Sequence, residues 1–110
     1  MGEANHCHYC VSAHSALGKR AGLTDRDILD SRRGASTDLK ADVLLRFART
    51  VLEKRGMIED VDIAAVREAG YGDAEIAEVV AHVALNIFTN YFNNVAGTTI
   101  DFPKAPALSV

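Results

Sequence analysis

Apolar residues recur with helical spacing over two long segments of the chain. One segment runs from about Asp38 to Arg55 and the other from about Asp73 to Val95. The spacing predicts a core helix in the first segment and a helix with one broad apolar face in the second. The residues that carry the pattern are Leu39, Val43, Leu44, Phe47, Ala48, Val51 and Leu52, followed by Ile76, Val80, Ala84, Ile87, Phe88, Tyr91 and Val95. No segment alternates as a strand does, so the predicted fold is all-α.

Glycines and capping residues predict three shorter helices. These helices are expected at about residues 7–21, 24–32 and 60–68. Gly22 and Gly70 mark two of the helix ends, Thr24 caps the second helix, and Asp73 is expected to cap the last long helix. Residues 97–110 contain two prolines and predict an irregular tail. The length of 110 residues predicts a single domain over residues 1–110.

Composition excludes several classes of function. The formal net charge is -3, and no basic stripe gathers the 12 lysines and arginines, so nucleic acid is not an expected partner. No apolar run approaches the ~18 residues of a membrane span, and no signal peptide is visible, so a cytoplasmic location is expected. Two cysteines in such a protein favour redox or metal chemistry over a disulfide framework.

Four asparagines lie in the second half of the last predicted helix, at positions 86, 90, 93 and 94. Asparagine is a mediocre helix former, so this stripe requires a compensating use. One interpretation is fraying and capping at the helix end. The alternative is that the side chains bond across a subunit interface or line a pocket at the cysteines.

The candidate chemistry lies in residues 6–14, which hold both cysteines and three of the four histidines. In a helix, Cys7, Cys10 and His14 fall within about 60° of one another. A helix N-terminus and a neighbouring imidazolium both stabilise a thiolate, and this segment offers both. The spacing of the cysteines also allows them to close an intramolecular disulfide under mild oxidation.

Two other interpretations of this segment stay open. A zinc site would need four ligands, and the additional ligands would come from His6, His8 and Glu3. The cysteines can also be buried structural residues beside a core histidine. Covalent haem attachment is excluded because Val11, and not histidine, follows the second cysteine.

The motif Glu3-Ala4-Asn5-x-Cys7-x-Tyr9-Cys10-x-x-Ala13-His14-Ser15 resembles the carboxymuconolactone decarboxylase superfamily, in its alkylhydroperoxidase D (AhpD)-like branch. The resemblance continues over residues 18–24, 69–76, 84–93 and 98–103 and so covers nearly the whole chain. The CxxCxxxH element is its specific part. The resemblance implies an AhpD-like helical domain in which Cys10 is the peroxidatic thiol, Cys7 the thiol that closes the disulfide, and His14 a member of the proton relay.

The chain departs from the family pattern at two places. Family members carry a relay glutamate on a helix before the motif, and this chain starts six residues before Cys7, so it is a short form or lacks N-terminal helices. Glu3 is a possible substitute for that glutamate. Tyr9 stands where better-studied members have a relay histidine.

The resemblance implies a thiol-dependent peroxidase that reduces hydroperoxides through a dithiol/disulfide cycle. It needs an external dithiol as reductant and no metal or other cofactor. The implied assembly is a homo-oligomer, a trimer or hexamer, which agrees with apolar helix surface that 110 residues cannot cover. The alternatives are a dithiol oxidoreductase or redox sensor acting on protein partners, and a zinc-binding or structural helical module.

Overall fold

The computed structural model describes residues 1–109, and every regular element within them is an α-helix. The helices are α1 His8–Arg20, α2 Asp25–Arg32, α3 Leu39–Glu53, α4 Asp60–Glu68 and α5 Asp73–Ala96. The prediction of an all-α fold is therefore confirmed. None of these helices is long and apolar enough to cross a membrane.

The chain forms two compact units, and the boundary between them falls within α5. The first unit contains residues 1–33 and 86–109, and within it α1 packs against α2. The second contains residues 34–85, and within it α3 packs against α4. The candidate chemistry of residues 6–14 thus belongs to the first unit.

Local capping interactions explain where the helices begin. Thr24 and Asp27 form a capping box in which each side chain accepts a hydrogen bond from the other residue's backbone N–H, at 3.1 and 2.9 Å. Gly22 has a φ of +99°, which only glycine adopts without strain, and ends the segment after α1. The cap predicted at Asp73 is wrong: Asp73 is the first residue of α5, and its carboxylate pairs with Arg67 at 2.6 Å.

The broad apolar face expected on α5 is not the side that is buried. Val80 and Phe88, which belong to that face, are 47% and 65% exposed. The buried residues of the helix are Val79 and Val83 in the second unit and Asn90 in the first. The hydrophobic period therefore marks a face that is largely exposed, and the buried side includes a polar residue that the period does not indicate.

The tail after α5 has no helix or strand over residues 98–109, and it contacts α1. The backbone N–H of Ala105 donates to Ser12 Oγ at 3.0 Å, and Ser12 is buried. The Phe102 ring meets Tyr9 edge to face at a centroid distance of 6.0 Å. The tail thereby forms part of the first unit.

The core of the second unit predicts a specific difference between two valines of α4. Val66 is 1% exposed and Val61 is 67% exposed. Val66→Ala should lower the free energy of unfolding by about 1 to 3 kcal/mol, because it removes buried methyl groups and leaves a cavity. Val61→Ala is the matched control in the same helix and should change it by less than about 0.5 kcal/mol. Urea denaturation measures the free energy of unfolding of both variants. Equal losses in the two would contradict the assignment of Val66 to the core.

Candidate active site

The segment before α1 forms a tight capping turn, which places Cys7 at the start of that helix. The His6 N–H donates to the Glu3 carbonyl at 3.1 Å, and the Cys7 N–H donates to the Gly2 carbonyl at 2.8 Å. This is the hydrogen-bond pair of a Schellman motif, and His6 occupies its left-handed position with a φ of +53°. The cap fixes where Glu3 and Cys7 lie relative to each other.

Cys7 and Cys10 are joined by a disulfide at the N-terminus of α1. Cys7 is the N-cap residue, and its Sγ accepts a hydrogen bond from the Cys10 N–H at 3.2 Å. The Cα atoms lie 5.2 Å apart, within the range that a disulfide requires. The pairing agrees with the disulfide predicted from the spacing. Both cysteines are buried, with exposed fractions of 1% and 3%.

A pocket of about 280 Å³ opens beside one of the two cysteines. Cys10, His14 and Glu3 line it, together with Arg32 and Asn86. Cys7 is not among the described residues that line it. Three of the four predicted site residues therefore meet at one cavity, and the fourth is linked to it through the disulfide.

His14 lies one helical turn after Cys10 and is exposed at the pocket. Among residues 1–109, it makes no hydrogen bond with Cys10 or with any other residue. Cys10 and His14 lie on the same face of α1, as predicted. The imidazole and the sulfur are not in direct contact. The ring nitrogens are therefore available to a molecule that enters the pocket.

Glu3 forms the opposite part of the pocket wall and is held there by Arg32. The Arg32 Nε donates to Glu3 Oε1 at 2.6 Å, and another guanidinium nitrogen donates to the Pro106 carbonyl at 2.7 Å. The Arg32 side chain is only 12% exposed. A largely desolvated ion pair of this kind holds a carboxylate in one position more firmly than a surface pair does.

Asn93, which was not predicted as a site residue, contacts the sulfur of Cys10 directly. Its Nδ2 donates to Cys10 Sγ at 3.5 Å and to the Thr89 carbonyl at 2.9 Å. Thr98 donates to Asn93 Oδ1 at 2.7 Å and so fixes the orientation of the amide. A donor held at the sulfur favours the thiolate over the thiol when the disulfide is reduced. The sequence signal for this residue was the asparagine stripe.

The other asparagines tie the segment before α1 to α5. Asn5 Nδ2 donates to Asn90 Oδ1 at 2.9 Å, and Asn94 Nδ2 donates to the Asn5 carbonyl at 2.9 Å. Asn90 is fully buried, and among the described residues its Nδ2 has no hydrogen-bond partner. Fraying at the helix end does not explain the stripe. Its residues instead line and support the disulfide site, which was the alternative interpretation.

The N-terminal half of the chain matches a known family. Residues 1–54 match the family model described as the carboxymuconolactone decarboxylase family. This match covers 54 of the 110 residues of the chain. The match includes α1, α2 and α3 and all four predicted site residues. No curated protein and no solved structure gives a significant match to the chain.

Tyr9, which lies between the two cysteines, faces the tail. Partial burial raises the pKa of Tyr9, and the charge and hydrogen bonding of the Asp101 carboxylate raise it further. With the ring against Phe102, Tyr9 anchors the tail. It does not occupy a relay position at the sulfur.

The zinc interpretation requires several ligands at one point. Within residues 1–109, no three His, Cys, Asp or Glu side chains converge in a way that would hold a metal ion. His6 and His8 are both exposed. The site described above presents a disulfide, an imidazole and a carboxylate.

The Asn93 contact predicts a change in thiol ionisation. In a Cys7→Ser background, Asn93→Ala should raise the pKa of the Cys10 thiol, because the donor to the thiolate is lost. Alkylation by iodoacetamide at pH 7 should slow by roughly 3- to 10-fold, with recovery at higher pH. Asn94→Ala is the matched control, since it removes a neighbouring amide that bonds Asn5 and not sulfur. Superimposable pH profiles for the two variants would contradict the role of Asn93.

Proposed function

We propose that the protein is a thiol-dependent peroxidase. The Cys10 thiolate attacks the distal oxygen of a hydroperoxide, the O–O bond breaks, and Cys10 becomes a sulfenic acid. The departing alkoxide takes a proton from His14 and leaves as an alcohol. The Cys7 thiol then attacks the Cys10 sulfur, water leaves, and the disulfide forms. An external dithiol returns two electrons and two protons, which requires a reducing compartment such as the cytoplasm.

One observation carries the proposal: the two sulfurs occupy different environments although they are bonded to each other. Cys10 lines the pocket and receives a hydrogen bond from Asn93. Cys7 lies behind it as the N-cap and is 1% exposed. This asymmetry supports Cys10 as the thiol that meets the peroxide and Cys7 as the thiol that resolves the sulfenic acid.

His14 and Glu3 supply the remaining parts of the proposed relay. His14 is exposed at the pocket without a partner among residues 1–109, so it can exchange protons with a bound hydroperoxide. Glu3 lines the same pocket as an ion pair with Arg32. We propose that Glu3 substitutes for the upstream glutamate of the family.

The alternative function is a dithiol oxidoreductase or redox sensor that acts on protein disulfides. That reaction requires one sulfur to reach a disulfide on a folded partner. Both sulfurs here are nearly inaccessible, whereas the pocket admits a small molecule. The low exposure of both sulfurs therefore favours a hydroperoxide over a protein disulfide as the substrate.

The asymmetry of the two cysteines predicts different stoichiometries for their variants. Reduced Cys10→Ser should consume no hydroperoxide, because the attacking sulfur is gone. Reduced Cys7→Ser should consume about one equivalent and then stop as a sulfenic acid or over-oxidise. Peroxide assay combined with intact mass measurement follows both outcomes.

His14→Ala provides a comparison in which both thiols remain. It should still form the Cys7–Cys10 disulfide, but roughly 10- to 100-fold more slowly at neutral pH, with partial recovery at higher pH. One equivalent consumed by Cys10→Ser and none by Cys7→Ser would show that the roles of the two thiols are reversed.

We also propose that the chain assembles as a homo-oligomer, and the family resemblance suggests a trimer or hexamer. Within the first unit, α5 exposes Phe88 (65%), Phe92 (62%) and Val95 (90%). The two phenylalanine rings lie 6.1 Å apart and form one apolar surface. A contiguous apolar patch of this kind is typical of a protein–protein interface.

The exposed surface of α5 predicts the result of light scattering. At micromolar concentration, the wild-type chain should have the mass of an oligomer, and Phe92→Glu should shift it toward the monomer, because it places a charge in an apolar interface. Leu39→Glu, which introduces the same charge at an 82% exposed residue of α3, is the control. A monomeric wild-type protein would contradict the proposed assembly.

A further inference from the structure

A second cavity of about 540 Å³ adjoins the Cys10 pocket within the first unit. Its walls come from α1, α2 and the tail residues 103–106. Ser15, Ile28 and Arg32 line both cavities, so the two share a wall. We call this second cavity the tail groove.

Most of the lining surface of the tail groove is apolar. Ala16, Ile28 and Leu29 line it from the helices, and Pro103, Ala105 and Pro106 line it from the tail. Its volume lies within the roughly 300 to 1,000 Å³ that is typical of small-molecule sites. Apolar walls of this size fit a hydrocarbon chain better than a hydrated ion or a sugar.

The tail groove is also surrounded by positive charge, although the protein as a whole is negative. Four cations line it against one carboxylate, while the formal net charge of the chain is -3. Lys19 is paired with Asp25 at 2.7 Å, and Arg32 is paired with Glu3. Arg20 and Lys104 are exposed and make no ion pair with any residue in 1–109. These two side chains are available to an anion at the groove.

The tail wall of the groove is held in place by two hydrogen bonds. Ser12 Oγ accepts from the Ala105 N–H at 3.0 Å, and Arg32 donates to the Pro106 carbonyl at 2.7 Å. Because Ser12 is 1% exposed, the first of these bonds anchors the tail to the interior of the unit. A groove with fixed walls loses less entropy on binding a ligand than one that must order first.

From these observations, we infer that the tail groove binds the hydrocarbon chain and carboxylate of a fatty-acid-type organic hydroperoxide. The inference rests on the proposed peroxidase function and names the substrate class of that site. The carboxylate pairs with Arg20 and Lys104, and the chain lies along the apolar walls. The shared wall at Ser15 and Ile28 brings the peroxide-bearing carbon to the pocket of Cys10. A neutral short alkyl hydroperoxide reaches the pocket but leaves the groove empty.

Calorimetry with decanoate tests the groove without any peroxide chemistry. The oxidised full-length chain should bind decanoate more tightly than decyltrimethylammonium, which has the same chain and the opposite charge. The double variant Arg20→Gln/Lys104→Gln should weaken decanoate binding roughly 5- to 25-fold. Arg33→Gln removes one positive charge from an exposed residue that does not line the groove, and it should leave decanoate binding unchanged. Equal binding of the two amphiphiles, or no binding of either, overturns the inference.

Kinetics then connects the groove to the proposed reaction. For the reduced protein, the ratio of kcat/KM for linoleic acid hydroperoxide to that for tert-butyl hydroperoxide should fall in the double variant and not in Arg33→Gln. If hydroperoxides are reduced but this ratio does not change, the groove inference fails and the peroxidase proposal stands. If decanoate binds as expected but no hydroperoxide is reduced, the peroxidase proposal fails, and the groove remains a site for a carboxylated amphiphile.

Discussion

The hydrogen bonds between the segment before α1 and the second half of α5 determine the geometry of the site. Asn90 is fully buried, so its amide oxygen must find a donor within the protein, and it finds Asn5. The Asn94 side chain holds the backbone of the same residue from the other side. Since Asn5 lies two residues before Cys7, this link fixes the position of the disulfide relative to α5. Asn93 then reaches the sulfur of Cys10.

Arg32 connects this site to the rest of the first unit. Its guanidinium joins Glu3 in the Cys10 pocket to the carbonyl of Pro106 in the tail. It is also one of the residues shared by the pocket and the tail groove. A single cation, with its side chain 12% exposed, thus contacts the carboxylate at the candidate site and the tail, and lines both cavities. In the proposed function, one side chain therefore lines both the pocket of the dithiol and the groove that binds the substrate.

Residues close together in the sequence predicted most of the helices. The features that were not predicted depend on contacts between residues far apart in the chain. The end of α1 and the start of α2 followed from Gly22 and Thr24, because a left-handed turn and a capping box are encoded by adjacent residues. The spacing of Cys7, Cys10 and His14 placed two of them at one pocket. The Asn93–Cys10 contact was anticipated only as one of two interpretations of the asparagine stripe, since it joins residues 83 positions apart. The buried side of α5 was not predicted, because an amide, that of Asn90, and not an apolar residue, occupies an interior position.

The most direct test of the proposed peroxidase is a single turnover of the reduced wild-type chain. One equivalent of hydroperoxide is mixed with the protein in a stopped-flow instrument, and samples are quenched for thiol counting and mass spectrometry. The proposed mechanism predicts the loss of two thiols for each hydroperoxide consumed, an intramolecular Cys7–Cys10 disulfide as the product, and a rate well above that of free cysteine at the same pH. A rate equal to that of free cysteine, or a product without this disulfide, would contradict it.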